Sequence, residues 1–427
     1  MSFGEAVTSW LGFNSVFDSN SENVRKSTNN LLSVCASLKR AIEDGESDQV
    51  LNAILAVIID ICEQPQPDKL RDTLGKSGAL VHFSQILSGS GRNFEVLQST
   101  VKVCSLLSEN QVNRPRIVTV NIHEGVLFVM KSHQRDVVVA EWGCKFVRNM
   151  SSEDSTLVKL AALGSCEVVV SALNNHYTST KALESACRAI FSLCMNSPGN
   201  RNKVGGAGAA ESVVNNILKR QLQLHKQASD GPDAEPFDEP TSTAVVECGL
   251  RVVSVLTRGH KDNTECFIAL GMCELLNDLF MVYTDGNVVF MTAFLSVSAQ
   301  LAGGNEIYQN KLASRGMSDV ILTAMAKYTE LGDVRVVQEC YRALRNLCHE
   351  NEAIQAELLS KGASEKVVQS IQHFGKYSEV AAQWGWYCIA SLAMHSPNLG
   401  VLSGSCCTEV VSSLTKYVLS FVVTPLL

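Results

Sequence analysis

The chain contains an internal repeat with a period of about 45 residues. A short segment that ends in an apolar residue recurs eight times, and the closing residues are Ile61, Leu106, Met150, Leu193, Val255, Leu301, Leu347 and Leu392. Successive closing residues are 45, 44, 43, 62, 46, 46 and 45 positions apart. A unit of this size cannot bury its own apolar face, so neighbouring units must stack to form a continuous core.

Each unit has the pattern of three helices. Residues Val336, Cys340, Ala343, Leu344 and Leu347 follow helical spacing and share one face of the helix that closes its unit. A glycine precedes a shorter apolar segment in every unit, and these glycines are Gly78, Gly125, Gly164, Gly208, Gly271, Gly316, Gly362 and Gly404. Glycine suits a tight turn between helices because it tolerates a positive φ. Alternating strand patterns are absent, so the sequence predicts an all-α chain.

Composition narrows the functional classes. Apolar residues make up 46% and charged residues 19%, which excludes a mostly disordered chain, and the net charge of −7 disfavours nucleic acid as a partner. The fifteen cysteines contain no CxxC pair, so we interpret them as small core residues in a reducing compartment. Residues 286–305 and 417–427 are too polar or too short for a spanning helix, and no signal peptide is evident. Membrane insertion is therefore not expected.

The units resemble the armadillo repeat. The segment Glu339–His349, the helix start at Asn351–Gln355 and the turn at Lys361–Ala363 carry the resemblance, which extends over about residues 48–410. It implies a right-handed superhelical α-solenoid of about eight three-helix repeats. HEAT repeats are the nearest alternative, but they have two helices and less of the glycine signature.

The repeats suggest a domain organisation. We expect an N-terminal cap at 1–47, partly flexible, repeats at 48–224 and 243–410, and an incomplete repeat or cap at 411–427. The 62-residue interval places an acidic, proline-containing loop at 225–242, between the second and third helices of the fifth unit. This loop is either a solvated insertion or an acidic tongue that covers the binding groove. The abrupt end also allows the chain to be the repeat region of a larger protein.

Catalytic motifs are missing. Gly205–Gly208 does not complete a GxGxxG motif, Gly75-Lys76-Ser77 lacks the first glycine of a P-loop, and neither HExxH nor GxSxG occurs. We therefore expect no enzyme activity, no cofactor, no metal and no small-molecule substrate.

The candidate binding residues lie on the third helices. Positions in each third helix are counted back from its closing residue. Positions −8, −5 and −1 then share one face of the helix, and position −2 lies beside that face. The armadillo resemblance implies that these helices line a concave groove. The candidate residues are Trp142, Lys145, Arg148, Asn149, Arg188, Ser192, Glu339, Arg342, Arg345, Asn346, Trp384 and Tyr387.

These residue types suit peptide binding. Lysine and arginine pair with carboxylates, asparagine hydrogen-bonds a peptide backbone, and tryptophan and tyrosine anchor apolar side chains. The simpler interpretation is a solvated charged face. Importin-alpha carries tryptophan four residues before asparagine, whereas Lys145 and Arg342 occupy that position here, which disfavours a nuclear transport carrier.

A mode like that of beta-catenin, with a basic groove and an acidic extended ligand, is closer. The leading hypothesis is a non-enzymatic scaffold or adaptor that binds an extended, acidic protein segment. We expect it to be cytoplasmic, with a nuclear location also open. The alternative is a regulator that clamps a folded small GTPase or kinase domain.

Overall fold

The computed structural model describes residues 21–64, 67–89, 91–229, 239–283 and 287–394. These residues form helices joined by turns, and no strand occurs among them. The chain divides into two compact units, Met1–Gly208 and Ala209–Leu427. Part of the predicted N-terminal cap (1–20), Gly404 and the predicted C-terminal segment at 411–427 lie outside the described residues.

The first unit contains three complete three-helix repeats, preceded by two helices and followed by one. Its helices are α1 (Ser21–Glu43), α2 (Asp48–Cys62), α3 (Asp68–Lys76), α4 (Ala79–Ser88), α5 (Phe94–Glu109), α6 (Asn113–Thr119), α7 (Ile122–Ser132), α8 (Val137–Met150), α9 (Asp154–Ala162), α10 (Ser165–Asn175), α11 (Thr180–Cys194) and α12 (Pro198–Gly206). The third helices α2, α5, α8 and α11 pack side by side in that order.

The second unit also contains three complete repeats, which two longer helices precede. Its helices are α13 (Ala209–Ser212, continued by a π-helix Val213–Lys219 and by Arg220–Ser229), α14 (Glu239–Thr257), α15 (Lys261–Ala269), α16 (Met272–Val282), α17 (Val288–Ala302), α18 (Glu306–Ala313), α19 (Met317–Glu330), α20 (Val334–Cys348), α21 (Glu352–Ser360), α22 (Ala363–Phe374) and α23 (Glu379–Leu392). Here α14, α17, α20 and α23 are the third helices and pack side by side.

The closing residues mark the core as the periodicity predicted. All eight lie in third helices, and none is more than 3% exposed. Six third helices begin at side-chain caps; for example, Asp136 accepts a hydrogen bond from the Val139 amide, and Ser179 accepts one from the Ala182 amide. Such caps satisfy amide groups that have no partner within the helix.

The turn before each second helix has the predicted left-handed backbone, with one correction. Glycines with φ between 75° and 86° occupy it in six repeats, but in the α6–α7 turn the residue is Asn121, with φ 58°. Asparagine tolerates this conformation better than most residues. The prediction that Gly125 forms this turn is wrong. Gly125 lies within α7, where an added Cβ would be 2.6 Å from the Cβ of Leu87.

First helices cap the third helices that precede them. Buried amide side chains donate to carbonyls at the ends of these helices: Asn113 Nδ2 to Leu107 O (3.4 Å), Asn200 Nδ2 to Leu193 O (2.8 Å), Asn263 Nδ2 to Leu256 O (3.0 Å) and Gln355 Nε2 to Cys348 O (2.9 Å). The last carbonyls of a helix have no partner within it, so these bonds both satisfy them and join consecutive repeats.

The predicted loop at 225–242 is helical at both ends. The second helix α13 extends from Ala209 to Ser229 and is longer than the other second helices, which have 10 to 14 residues. The third helix α14 begins at Glu239. Residues 230–238 lie outside the described residues. Pro240 fits the first turn of α14, where its missing N–H has no intrahelical partner to lose. The Ser242 hydroxyl, 2.8 Å from the Tyr283 hydroxyl, ties this end into the second unit.

The apolar segments and cysteines are largely interior. Among the described residues, no single helix is long and apolar enough to cross a membrane, and only the bent pair α9–α10 could do so by length and composition. The predicted apolar segment 286–305 contains the mostly buried α17, and 417–427 is not described. Thirteen cysteines lie in the described part of the chain, and twelve of them are buried. Burial raises the pKa of the Cys144 thiol to about 12.

Candidate functional site

The third helices of each unit present a surface of partly exposed side chains, which we call the third-helix face of that unit. Ten of the twelve candidate residues are half-buried there, and Arg148 and Arg188 are exposed.

Trp142 is the centre of a charged cluster on the face of the first unit. Its ring centroid lies 3.8 Å from Lys145 Nζ and 4.9 Å from Lys102 Nζ. Lys145 also contacts Glu141 at 2.6 Å, and Lys102 contacts Glu63 at 2.9 Å. Two ammonium groups therefore approach one indole, and each has its own carboxylate. Such contacts restrict the orientation of the indole ring, and cation–π attraction stabilises the lysine ammonium groups in their positions beside it.

The other basic residues of this face differ in their surroundings. Arg188 lies 3.6 Å from Glu184, one turn earlier in α11. Arg148 is exposed and has no ion pair among the described residues. Ser192 is half-buried near the end of α11.

The face of the second unit combines an ion pair and an aromatic pair. Arg342 Nη1 donates to both carboxylate oxygens of Glu339, at 2.7 and 2.8 Å. On the next third helix, Trp384 and Tyr387 form an edge-to-face pair with ring centroids 5.9 Å apart. Arg345 is half-buried on the same face as Arg342. These aromatic rings are the part of the face best suited to hold an apolar side chain.

The two candidate asparagines join adjacent third helices. Asn149 Nδ2 donates to Ser108 Oγ at 3.0 Å, and Asn346 Nδ2 donates to Ala299 O at 2.8 Å. One amide hydrogen of each residue is therefore engaged within the protein. The bonds fix the spacing of neighbouring helices, which the sequence pattern did not predict.

Glutamates on the third helices are the residues that sequence reasoning missed. Glu141, Glu184 and Glu247 pair with Lys145, Arg188 and Arg251, respectively. Only Glu339, the partner of Arg342, was among the candidates. The available signal was a glutamate three or four residues before each basic residue. Among the basic candidates, Lys145, Arg188 and Arg342 are therefore paired with glutamates, whereas Arg148 and Arg345 have no such partner among the described residues.

The described residues offer no metal-binding cluster. No group of three or more histidine, cysteine, aspartate or glutamate side chains in this part of the chain is placed to hold a metal ion. Gly75-Lys76-Ser77 ends the first helix α3, and Ser77 Oγ donates to Leu74 O at 2.7 Å. The glycines at 205–208 form the end of α12 and the turn after it.

Comparison with known proteins supports the fold. No protein-family model matches the chain, and no curated protein matches it in sequence. An engineered protein from a structural genomics consortium is similar, with a TM-score of 0.63, 15% identity and coverage of 89% of this chain and 87% of that one. A structure from work on a phosphorylation switch in the cadherin–beta-catenin interaction is also similar, with a TM-score of 0.64 and 16% identity. The match covers 89% of this chain and 68% of that one.

A designed armadillo repeat protein extends the comparison. It has a TM-score of 0.50 and 16% identity, and the match covers 63% of this chain and 99% of that one. At such identities the likeness concerns the fold, which agrees with the three-helix repeats and the left-handed turns described above. The chain therefore has an armadillo-like repeat fold.

Proposed function

We propose that this protein is a non-enzymatic scaffold that binds an extended segment of another protein along its third-helix faces. The observation that carries the proposal is the Trp384–Tyr387 pair, which remains half-buried on a surface of stacked helices. Large aromatic side chains in such positions supply most of the binding free energy in many interfaces. The similarity to beta-catenin, whose structure concerns an interaction with cadherin, supports the same class of function.

The charges define the proposed ligand more narrowly than the sequence did. Lys145, Arg188 and Arg342 already have glutamate partners, so a carboxylate of the ligand would compete with an internal one. Arg148 and Arg345 have no carboxylate within 4.0 Å in the described part of the chain. The proposed segment is therefore extended, with apolar anchors and isolated acidic residues, rather than uniformly acidic.

A random-peptide display selection on the purified full chain tests this proposal. Peptides enriched on the wild type are expected to lose about tenfold or more in affinity for Trp384→Ala, because an aromatic anchor is truncated. Met281→Ala is the matched control, since Met281 is 72% exposed on the second helix α16 of the same unit. Circular dichroism establishes that both variants are folded.

Two results contradict the proposal. One is the absence of any enriched peptide on the wild type. The other is equal binding of the enriched peptides to the wild type and to folded Trp384→Ala.

A further inference from the structure

We infer that Arg345 is the point at which this protein binds an oxyanion, a carboxylate or a phosphate group, on its partner segment. The inference rests on the proposed function, because it names the chemistry of one position on the third-helix face. Arg345 differs in its contacts from two groups of basic residues, one on the third helices and one on the first helices.

Basic residues on the third helices are neutralised in most places. Lys102, Lys145, Arg188, Arg251 and Arg342 each lie within 3.6 Å of a glutamate oxygen. No carboxylate oxygen lies within 4.0 Å of the Arg345 guanidinium among the described residues. The half-buried Arg345 therefore differs from this first group in having no internal counter-ion.

A second group of arginines has a capping role that Arg345 does not share. Arg71 Nη2 donates to Cys62 O at 2.9 Å, Arg114 Nε to Ser108 O at 3.0 Å, and Arg201 Nε to Cys194 O at 3.1 Å. Each bond satisfies a carbonyl at the end of a third helix.

At the end of α20 these carbonyls already have other donors. Gln309 Nε2 donates to Asn346 O at 2.9 Å and to His349 O at 3.0 Å, and Gln355 Nε2 donates to Cys348 O at 2.9 Å. Arg345 is thus not needed as a cap for its own helix, although it lies in the last turn.

The Arg345 guanidinium is held at one end and open at the other. Its Nε is buried and has no hydrogen-bond partner. Its two terminal nitrogens are not buried, and they also have no hydrogen-bond partner among the described residues. Arg345 lies in α20, which packs side by side with α23. The helix α23 carries Trp384 and Tyr387.

This arrangement suits a planar oxyanion. The terminal nitrogens of a guanidinium present parallel N–H groups that match the two oxygens of a carboxylate or two oxygens of a phosphate. Because the inner part of the side chain is packed, less conformational freedom is lost on binding than for a fully exposed arginine. The adjacent aromatic residues would hold the neighbouring side chain of the same segment.

Arg135 provides a control. It is an exposed arginine in the turn between α7 and α8, it is not one of the candidate binding residues, and no ion pair joins it to a carboxylate among the described residues. A similar loss of charge at the two sites therefore separates a packed arginine of the third-helix face from a solvated arginine elsewhere.

The test repeats the peptide selection with Arg345→Gln and Arg135→Gln as additional baits. Wild type and Arg135→Gln are expected to enrich peptides with an acidic residue at a fixed distance from an apolar anchor. Arg345→Gln should enrich the same anchor without the acidic preference. A synthetic enriched peptide should bind Arg345→Gln about tenfold more weakly than the wild type, and its Asp→Asn or Glu→Gln analogue should bind both proteins equally. A phosphoserine analogue that binds more tightly than the carboxylate peptide identifies phosphate as the preferred source.

The outcomes separate this inference from the proposed function. If peptides are enriched through Trp384 but show no acidic preference, or if Arg345→Gln retains that preference, the inference is wrong and the scaffold function stands. If no peptide is enriched on any bait, the scaffold function itself fails. Lys311→Gln, which removes a lysine of the first helix α18 that is already paired with Glu274 at 3.0 Å, serves as a second control and should leave the acidic preference unchanged.

Discussion

The contact between Gly125 and Leu87 makes a quantitative prediction about stability. Gly125 lies in α7, and a methyl group added there would be 2.6 Å from the Cβ of the buried Leu87. Cβ is attached directly to the backbone, so α4 and α7 would have to separate. Overpacking of this kind costs about 1–3 kcal/mol, whereas replacing a helical glycine by alanine gains about 0.5–1 kcal/mol. We therefore expect Gly125→Ala to reduce the free energy of unfolding by about 1–2 kcal/mol.

A second glycine in the same repeat serves as the control. At Gly143 in α8, the added methyl group would meet Cγ, Sδ and Cε of Met130, at 2.6 to 2.9 Å. A methionine side chain has three rotatable bonds and can move aside. Gly143→Ala is therefore expected to be at least about 1 kcal/mol more stable than Gly125→Ala.

Urea unfolding followed by far-ultraviolet circular dichroism measures both variants. Since repeat arrays can unfold in stages, the comparison uses the transition that both variants share with the wild type. Equal stability of the two variants, or a Gly125→Ala protein as stable as the wild type, would refute the argument from close helix packing.

Two further predictions concern buried polar groups and thiols. The Tyr341 hydroxyl is hydrogen-bonded to a serine at 2.7 Å, whereas that of the equally buried Tyr328 has no partner among the described residues. Tyr341→Phe should therefore lower the free energy of unfolding by about 1 kcal/mol, and Tyr328→Phe should raise it by up to about 1 kcal/mol. Urea unfolding measures both changes, and a change of the same sign in both variants would contradict the prediction. Of the thirteen described cysteines, only Cys266 is not buried, so we expect iodoacetamide at pH 8 to label it before the others. Peptide mass mapping follows the labelling, and early modification of the fully buried Cys104 would contradict the described packing.

Much of the fold could be predicted because the relevant signals are local. Helical spacing of Val336, Cys340 and Leu344 identifies the buried face of α20 from the sequence alone. The closing residues were found for the same reason, since each repeat must present an apolar stripe to its neighbours. The glycine turns were predicted from backbone freedom, and this reasoning failed where Asn121 replaced glycine.

The candidate site was less accessible to sequence reasoning. Whether Lys145 or Arg188 is available to a ligand depends on the rotamer of a glutamate one turn away, and the periodicity that located them does not report it. The role of Asn346 depends on a carbonyl in the preceding third helix. The insertion was misjudged because its proline and acidic residues suggested a loop, although Pro240 lies in the first turn of α14.

The caps supplied by first helices give the array a direction. The third helices α5, α11, α14 and α20 each receive a terminal hydrogen bond from an amide of the first helix that follows them in the chain, as in the bonds from Asn200 and Asn263. Removing repeats from the amino-terminal side deprives the remaining amides of acceptors but leaves these caps on the third helices that remain. Removing the residues that follow one of these four helices takes its cap away. Shortened forms of the same length thus differ in stability according to the end from which they were cut, and fraying proceeds more readily from one end than from the other.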